Sequence, residues 1–165
     1  MKYVNNNKLG GTQQSVSATA ITMLDQLATS GAIKRTIIEE IGACINAAPN
    51  LTTDCQIIIE MLLATAAGTA TQTNPNPVQV FETGTQVACA ATCHQNHTAE
   101  PTYTAGSQRL YRAFNQRSSF RWAPLSDDHR PIGPGVAASG WGIRFTQPTA
   151  SAYLSTMAAE CIFSE

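Results

Sequence analysis

The stretch Ile33-Lys34-Arg35-Thr36-Ile37-Ile38-Glu39-Glu40-Ile41-Gly42-Ala43-Cys44-Ile45-Asn46 decides the fold class, and it supports two readings. Ile33, Ile37, Ile41, Ala43 and Ile45 alternate with mostly polar neighbours, the period of a half-buried strand. Ile37, Ile38, Ile41, Cys44 and Ile45 would equally line one face of a helix. Periodicity leaves both open. The β-branched content leans toward a strand, because isoleucine and threonine lose little by stiffening on a pleated surface.

Neighbouring segments strengthen the strand reading. Gln56-Ile57-Ile58-Ile59-Glu60-Met61-Leu62-Leu63 is short, apolar and Ile-rich, as in a strand buried over most of its length. In Ser139-Gly140-Trp141-Gly142-Ile143-Arg144-Phe145-Thr146, Trp141, Ile143 and Phe145 share one face and should point inward. After a turn at Pro148, residues 152–163 are expected to return as a terminal strand, with Tyr153, Ser155, Met157, Ala159, Cys161 and Phe163 on one face, forming a C-terminal hairpin. Turn clusters separate the apolar runs: Thr29-Ser30-Gly31, Pro49-Asn50, Ala67-Gly68, Asn74-Pro75-Asn76-Pro77, Thr83-Gly84 and Gly133-Pro134-Gly135. That spacing suits a single all-β antiparallel sandwich over residues 16–165. Residues 1–15, with Asn5-Asn6-Asn7 and Gly10-Gly11, read as a polar extended arm that a neighbouring molecule could order.

Composition narrows the function classes. The 165 residues suit one domain with a core of its own. Charged residues make up 13 % of the chain, about half the usual ~25 %, which argues against a charge-coated helical bundle and against a charged disordered chain. A net charge of -1 removes the electrostatic footprint of a general nucleic-acid binder. No window approaches the ~18 apolar residues of a membrane span, and the polar start Met1-Lys2-Tyr3-Val4-Asn5-Asn6-Asn7-Lys8 does not read as a signal peptide. Folding in the cytosol is therefore expected. Cys44, Cys55, Cys89, Cys93 and Cys161, five in number and irregularly spaced, then read as reduced thiols.

Cys89-Ala90-Ala91-Thr92-Cys93-His94-Gln95-Asn96-His97 is the strongest site-like cluster. Cys89, Cys93, His94 and His97 are metal candidates, because thiolate and imidazole are donors that zinc prefers. The spacing counts against them as one site, since adjacent Cys93 and His94 would point to opposite sides of a strand. Two buried thiols and two loop histidines are the plainer reading. No nucleophile elbow, phosphate loop or opposed carboxylate pair is present, and Asp127-Asp128-His129 reads as a polar loop. No catalytic residue and no cofactor are expected.

Arg109, Arg112, Arg117, Arg121, Arg130 and Arg144 hold six of the ten basic charges, interleaved with Tyr111, Phe114, Phe120 and Trp122. Arginine and aromatics without lysine favour a protein contact over a nucleic-acid surface. The interface candidates are Tyr3, Asn5, Asn6 and Asn7 of the arm, with Arg109, Arg112, Arg117 and Arg121.

In order and spacing, several motifs resemble the small all-β structural proteins of tailed-bacteriophage particles. They are Asn96-His97-Thr98-Ala99-Glu100-Pro101-Thr102, an aromatic-basic strand pair ending at Trp122-Ala123-Pro124, a Gly-Pro-Gly turn, Gly140-Trp141-Gly142-Ile143-Arg144-Phe145-Thr146, Ala150-Ser151-Ala152-Tyr153 and the closing Phe163-Ser164-Glu165. The resemblance implies a jelly-roll-like sandwich that decorates or cements a capsid shell without catalysis, partnered by the major capsid protein and by copies of itself as a trimer; the alternatives are a tail, head-fibre or receptor-binding module of the particle, or a carbohydrate-binding or enzymatic β-sandwich that uses His94, His97 and His129. It places the chain on the virion, made in the host cytoplasm. It also implies that residues 33–46 are strand.

Overall fold

The computed structural model describes residues 1–7, 14–29, 34–45, 54–74, 78–80, 87–148 and 155–165, apart from the side chains of 71–74, 78–79 and 155. Two antiparallel sheets pack face to face as an all-β sandwich. The first runs β11 (Phe120–Trp122), β4 (Ile37–Ile45), β13 (Ser155–Ser164), β1 (Lys2–Asn6) and β7 (Val78–Gln79), with β2 (Ser15–Val16) also on β13. The second runs β10 (Leu110–Asn115), β5 (Gln56–Ala66), β12 (Gly140–Thr146), β3 (Ile21–Ala28), β8 (Ala91–Ala99) and β6 (Thr69–Asn74), with β9 (Thr102–Tyr103) on β5. Strands β3, β4 and β5 alternate between the sheets, as do β10 to β13, so most neighbours in a sheet are distant in sequence, the jelly-roll-like pattern. Among the described residues no helix is long and apolar enough to cross a membrane.

Strand β4 explains the double periodicity of residues 33–46. Its register against β13 shifts between Ile162↔Glu40 and Phe163↔Ile38, leaving Glu39 as an extra residue. The bulge changes the phase, so the buried set is Ile38, Ile41 and Ala43. The three-residue step from Ile38 to Ile41 is what imitated a helix. Ile33 lies outside the described residues. Strand β5 is the buried run expected, extended to Ala66.

Trp141, Ile143 and Phe145 point into the core, as their alternation requires, and Met157, Ala159, Cys161 and Phe163 face them from the other sheet. The expected C-terminal hairpin is not formed. β12 and β13 belong to opposite sheets, where β12 takes β3 and β5 as neighbours and β13 takes β1 and β4. Tyr153 and residues 149–154 lie outside the described residues, as do the turn clusters at 49–50, 75–77 and 83–84.

The N-terminal arm is corrected for residues 2–6. They form β1, an interior strand paired with β13 from Lys2↔Ser164 to Asn6↔Glu160 and with β7 on its other side. Tyr3 stacks on Phe163 with ring centroids 5.7 Å apart. Asn7 extends the pairing beyond the strand. Its backbone N–H donates to Ala159 O at 3.1 Å. Its side-chain Oδ1 accepts from Ala159 N at 2.9 Å and its Nδ2 donates to Met157 O at 2.9 Å. The amide thus fills the gap in the ladder between β1 and β2, which resumes at Thr156↔Ser15. The two ends of the chain meet at the same place: Met1 N donates to Glu165 O at 2.9 Å and Glu165 N to Met1 O at 3.2 Å. Residues 8–13 lie outside the described residues.

Candidate functional site

The residue grouping with the most chemistry forms where β3 meets β8. Leu24 pairs with Ile143 and Gln95 and faces the core, so Asp25, paired with Gly142 and His94, lies on the opposite face of the second sheet. His94 shares that face as the cross-strand partner of Asp25. Three residues on, His97 should point the other way, but Asn96 has φ 52, in the left-handed region. Asn tolerates this better than most residues. The left-handed turn of the backbone there leaves both Gln95 and Asn96 pointing inward and returns His97 to the face of His94.

Inward amides hold this backbone in place. Asn7 Nδ2 donates to Asn96 Oδ1 at 3.3 Å, and Gln95 Nε2 donates to Asn5 Oδ1 at 3.2 Å. Asn5 Nδ2 in turn donates to Asp25 O at 3.1 Å. The backbone of β8 is gripped further by Gln14 Nε2, which donates to His97 O at 2.6 Å. Polar residues of β1 thus sit between the sheets and tie the first sheet to the strands that carry the histidines.

On the other face, one carboxylate serves both imidazoles. Asp25 Oδ1 lies 2.6 Å from His94 Nδ1 and also accepts from His94 N at 3.2 Å, while Asp25 Oδ2 lies 3.0 Å from His97 Nε2. The side chains of Asp25 and His97 are fully buried, and that of His94 is 15 % exposed. Burial pushes the Asp25 carboxyl up, but hydrogen bonds and charge from His94 and His97 outweigh it and hold the group below the usual carboxylate range. The bond to Asp25 holds His94 above an ordinary histidine against the opposing effect of burial. Asp25, His94 and His97 each offer one donor atom, all within 4.8 Å of one another, and are the only such group among the described residues.

On the same face, Glu100 and Tyr103 pack against Thr22, Gly142 and Arg144. Glu100 accepts from Thr22 N and Thr22 Oγ1, each at 2.6 Å, and Tyr103 Oη lies 2.5 Å from Thr22 Oγ1. The Tyr103 ring lies over Gly142, where a Cβ would stand 2.3 Å from its hydroxyl. Arg144 stacks over the same ring at 5.5 Å and donates from Nε to Glu60 Oε2 at 2.6 Å.

The metal candidates chosen from sequence separate into two pairs. His94 and His97 come together with Asp25. Cys93 pairs with Gln26 on the core side and is fully buried, and Cys89, half-buried, lies beside it and donates to Glu165 Oε2 at 3.6 Å. The Glu165 side chain folds in to accept from Ala90 N at 2.7 Å and Ala91 N at 3.0 Å. Asp25 was not foreseen. Its signal was a lone acid in the run Ile21-Thr22-Met23-Leu24-Asp25-Gln26-Leu27-Ala28, all eight residues of which are in β3.

Of the interface candidates, Tyr3, Asn5 and Asn7 are corrected: they are buried between the sheets and unavailable to a partner, whereas Asn6 is half-buried. Arg109, Arg112, Arg117 and Arg121 are exposed. β10 is the edge of one sheet and β11 the edge of the other, and stacked Phe114 and Phe120, 5.5 Å apart, join them. Arg112, Arg117 and Arg121 therefore line one lateral edge of the sandwich. Arg117 Nε donates to Asp54 at 2.7 Å, and Arg121 makes a two-pronged pair with Glu40 at 2.6 and 2.9 Å. Beside Arg121, a shallow concavity of about 680 Å³ is floored by Gly42, Ala43, Ala158 and Ala159. Asp127-Asp128-His129 forms an exposed single turn of 3-10 helix, with Ser126 Oγ 2.8 Å from His129 Nδ1.

Comparison with protein-family models, with curated proteins and with solved structures finds no match to this chain.

Proposed function

We propose that this chain is a non-enzymatic structural protein of a virus particle, which decorates or cements the shell of a tailed bacteriophage through protein–protein contacts. The observation that carries the reading is the lateral edge formed by β10 and β11. Tyr111 is 52 % exposed there, between a buried Leu110 and exposed Arg112, and Arg117 and Arg121 continue the surface, backed by half-buried Phe120 and Trp122, which also pack against the core. Arginine and aromatics without lysine are the composition of protein contact surfaces. The pairs with Asp54 and Glu40 cancel much of the guanidinium charge, which suits a protein partner better than a phosphate backbone. Among the described residues no further strand lies beside β10 or β11, and edge strands lend themselves to strand-to-strand contact. The sequence resemblance supplies the partner: the major capsid protein, together with copies of this chain as a trimer.

Imaging of purified particles tests the proposal. Density for the sandwich at stoichiometric positions over the shell lattice is expected, with Arg112→Glu and Arg117→Glu abolishing incorporation while the purified variants keep the wild-type circular dichroism spectrum. Density confined to the tail replaces the shell assignment with a tail, head-fibre or receptor-binding role. Absence from particles, or salt-sensitive micromolar binding to DNA or RNA, overturns the proposal.

A further inference from the structure

We propose that Asp25, His94 and His97 bind one zinc ion, clamping β3 to β8 on the face of the second sheet turned away from the core. Two imidazole nitrogens and a carboxylate oxygen are a donor set that zinc accepts, and three protein ligands leave a position for water. The donors already converge. With zinc–ligand bonds of about 2.0–2.1 Å, tetrahedral donors stand roughly 3.3 Å apart. Here one donor atom from each of Asp25, His94 and His97 lies within 4.8 Å of the other two, and each imidazole is in contact with its own carboxylate oxygen, at 2.6 and 3.0 Å. The donors therefore have to move apart or together by about an ångström to hold the ion.

Three further features favour an ion over simple mutual neutralisation. The ligating nitrogens, Nδ1 of His94 and Nε2 of His97, are the ones already aimed at the carboxylate, so neither ring needs to flip. Both histidines are brought to one face by the left-handed backbone of Asn96 (φ 52), a conformation that costs energy in any residue but glycine. Asn5 Nδ2 on His94 O at 3.4 Å and Gln14 Nε2 on His97 O at 2.6 Å hold the backbone of both ligand residues from behind, and Asn7 Nδ2 holds the Asn96 side chain. Lastly, Asp25 and His97 are sealed from water while His94 keeps 15 % exposure, giving one route for the ion and for a water ligand. On binding, each ligating nitrogen turns its lone pair to the ion, a neutral ring carrying its one proton on the other nitrogen, and the ion takes over the compensation of the buried carboxylate. The thiols of Cys89 and Cys93 take no part, because Cys93 faces the core.

The test uses the full chain purified without a His tag and stripped with a chelator. Titration with Zn²⁺ should show one ion per chain and a raised thermal midpoint. His94→Gln, at the ligand nearest solvent, should weaken binding at least about tenfold. With wild-type protein, Co²⁺ should give visible d–d bands without an intense thiolate charge-transfer band, a readout that does not depend on any variant folding. Binding below about half an equivalent of Zn²⁺, unchanged affinity in a folded His94→Gln protein, or a thiolate band with Co²⁺ overturns the assignment.

Discussion

Replacing Asn7 by alanine tests whether the N-terminal segment belongs to the core. The wild-type side chain accepts from Ala159 N and donates to Met157 O, both at 2.9 Å, in a site where Asn7 is 1 % exposed. Asn7→Ala strands that amide and that carbonyl between the sheets. Each unpaired buried group costs about 1–3 kcal/mol, so the loss sums to roughly 4 kcal/mol, a large part of the ~5–15 kcal/mol that holds a domain folded. At about 2–4 °C per kcal/mol for a chain of this size, the thermal midpoint should fall by roughly 10 °C. Asn7→Asp keeps the acceptor for Ala159 but loses the donor and buries a charge, so it should fall at least as far. Lys2→Ala, on the same strand but 44 % exposed with a 3.6 Å ion pair to Glu39, should stay within about 0.5 kcal/mol of wild type. Thermal and urea melts followed by far-UV circular dichroism read all three. If Asn7→Ala melts within about 2 °C of wild type, the segment is not docked as described and the reasoning fails.

Thiol accessibility gives a second check: Cys44 is exposed, Cys55, Cys93 and Cys161 are buried, and burial pushes the Cys93 and Cys161 thiols up. A disulfide-exchange reagent should therefore find one fast thiol in native protein, lost in Cys44→Ser, and three or more fast thiols would contradict the packing. Gly142→Ala drives a methyl into the Tyr103 ring, where its Cβ would lie 2.3 Å from the hydroxyl, and should cost about 1–3 kcal/mol in a urea melt. Glu60→Ala removes the acceptor shared by Arg144 and Gln108, at 2.6 and 2.5 Å, and should cost about 1–3 kcal/mol. Arg117→Ala, whose pair with Asp54 is exposed on both sides, should change stability by no more than about 0.5 kcal/mol.

What the sequence disclosed, and what it hid, follows from where each residue's partners lie. β5 and β12 were legible because their apolar residues need only one face or full burial, a requirement written along the strand itself. β4 was ambiguous because a single extra residue, Glu39, breaks the two-residue period in its middle. β1 was missed for a different reason. Asn5 and Asn7 look like surface residues, and their burial is compensated by Asp25 O, Met157 O and Ala159 N, far along the chain. The C-terminal hairpin failed because alternation reports which face a strand buries and carries no information on which sheet it joins. At the candidate site, the histidines stood out by type. That they share a face depends on the backbone angle of Asn96, and their common partner lies about 70 residues upstream.

The hydrogen-bonded meeting of Met1 with Glu165 makes residues 1–165 almost a closed circuit. A short peptide joining the two ends would cross almost no distance, so the same sandwich can be threaded from a different starting residue. The turn after β10, where Ser118 N donates to Asn115 O at 2.9 Å on an exposed surface, is a natural point to reopen it. A permuted chain of that kind would present its new ends beside Arg117, turning the lateral edge into a place to attach cargo, whereas a fusion at either original end would project from the far termini of β1 and β13.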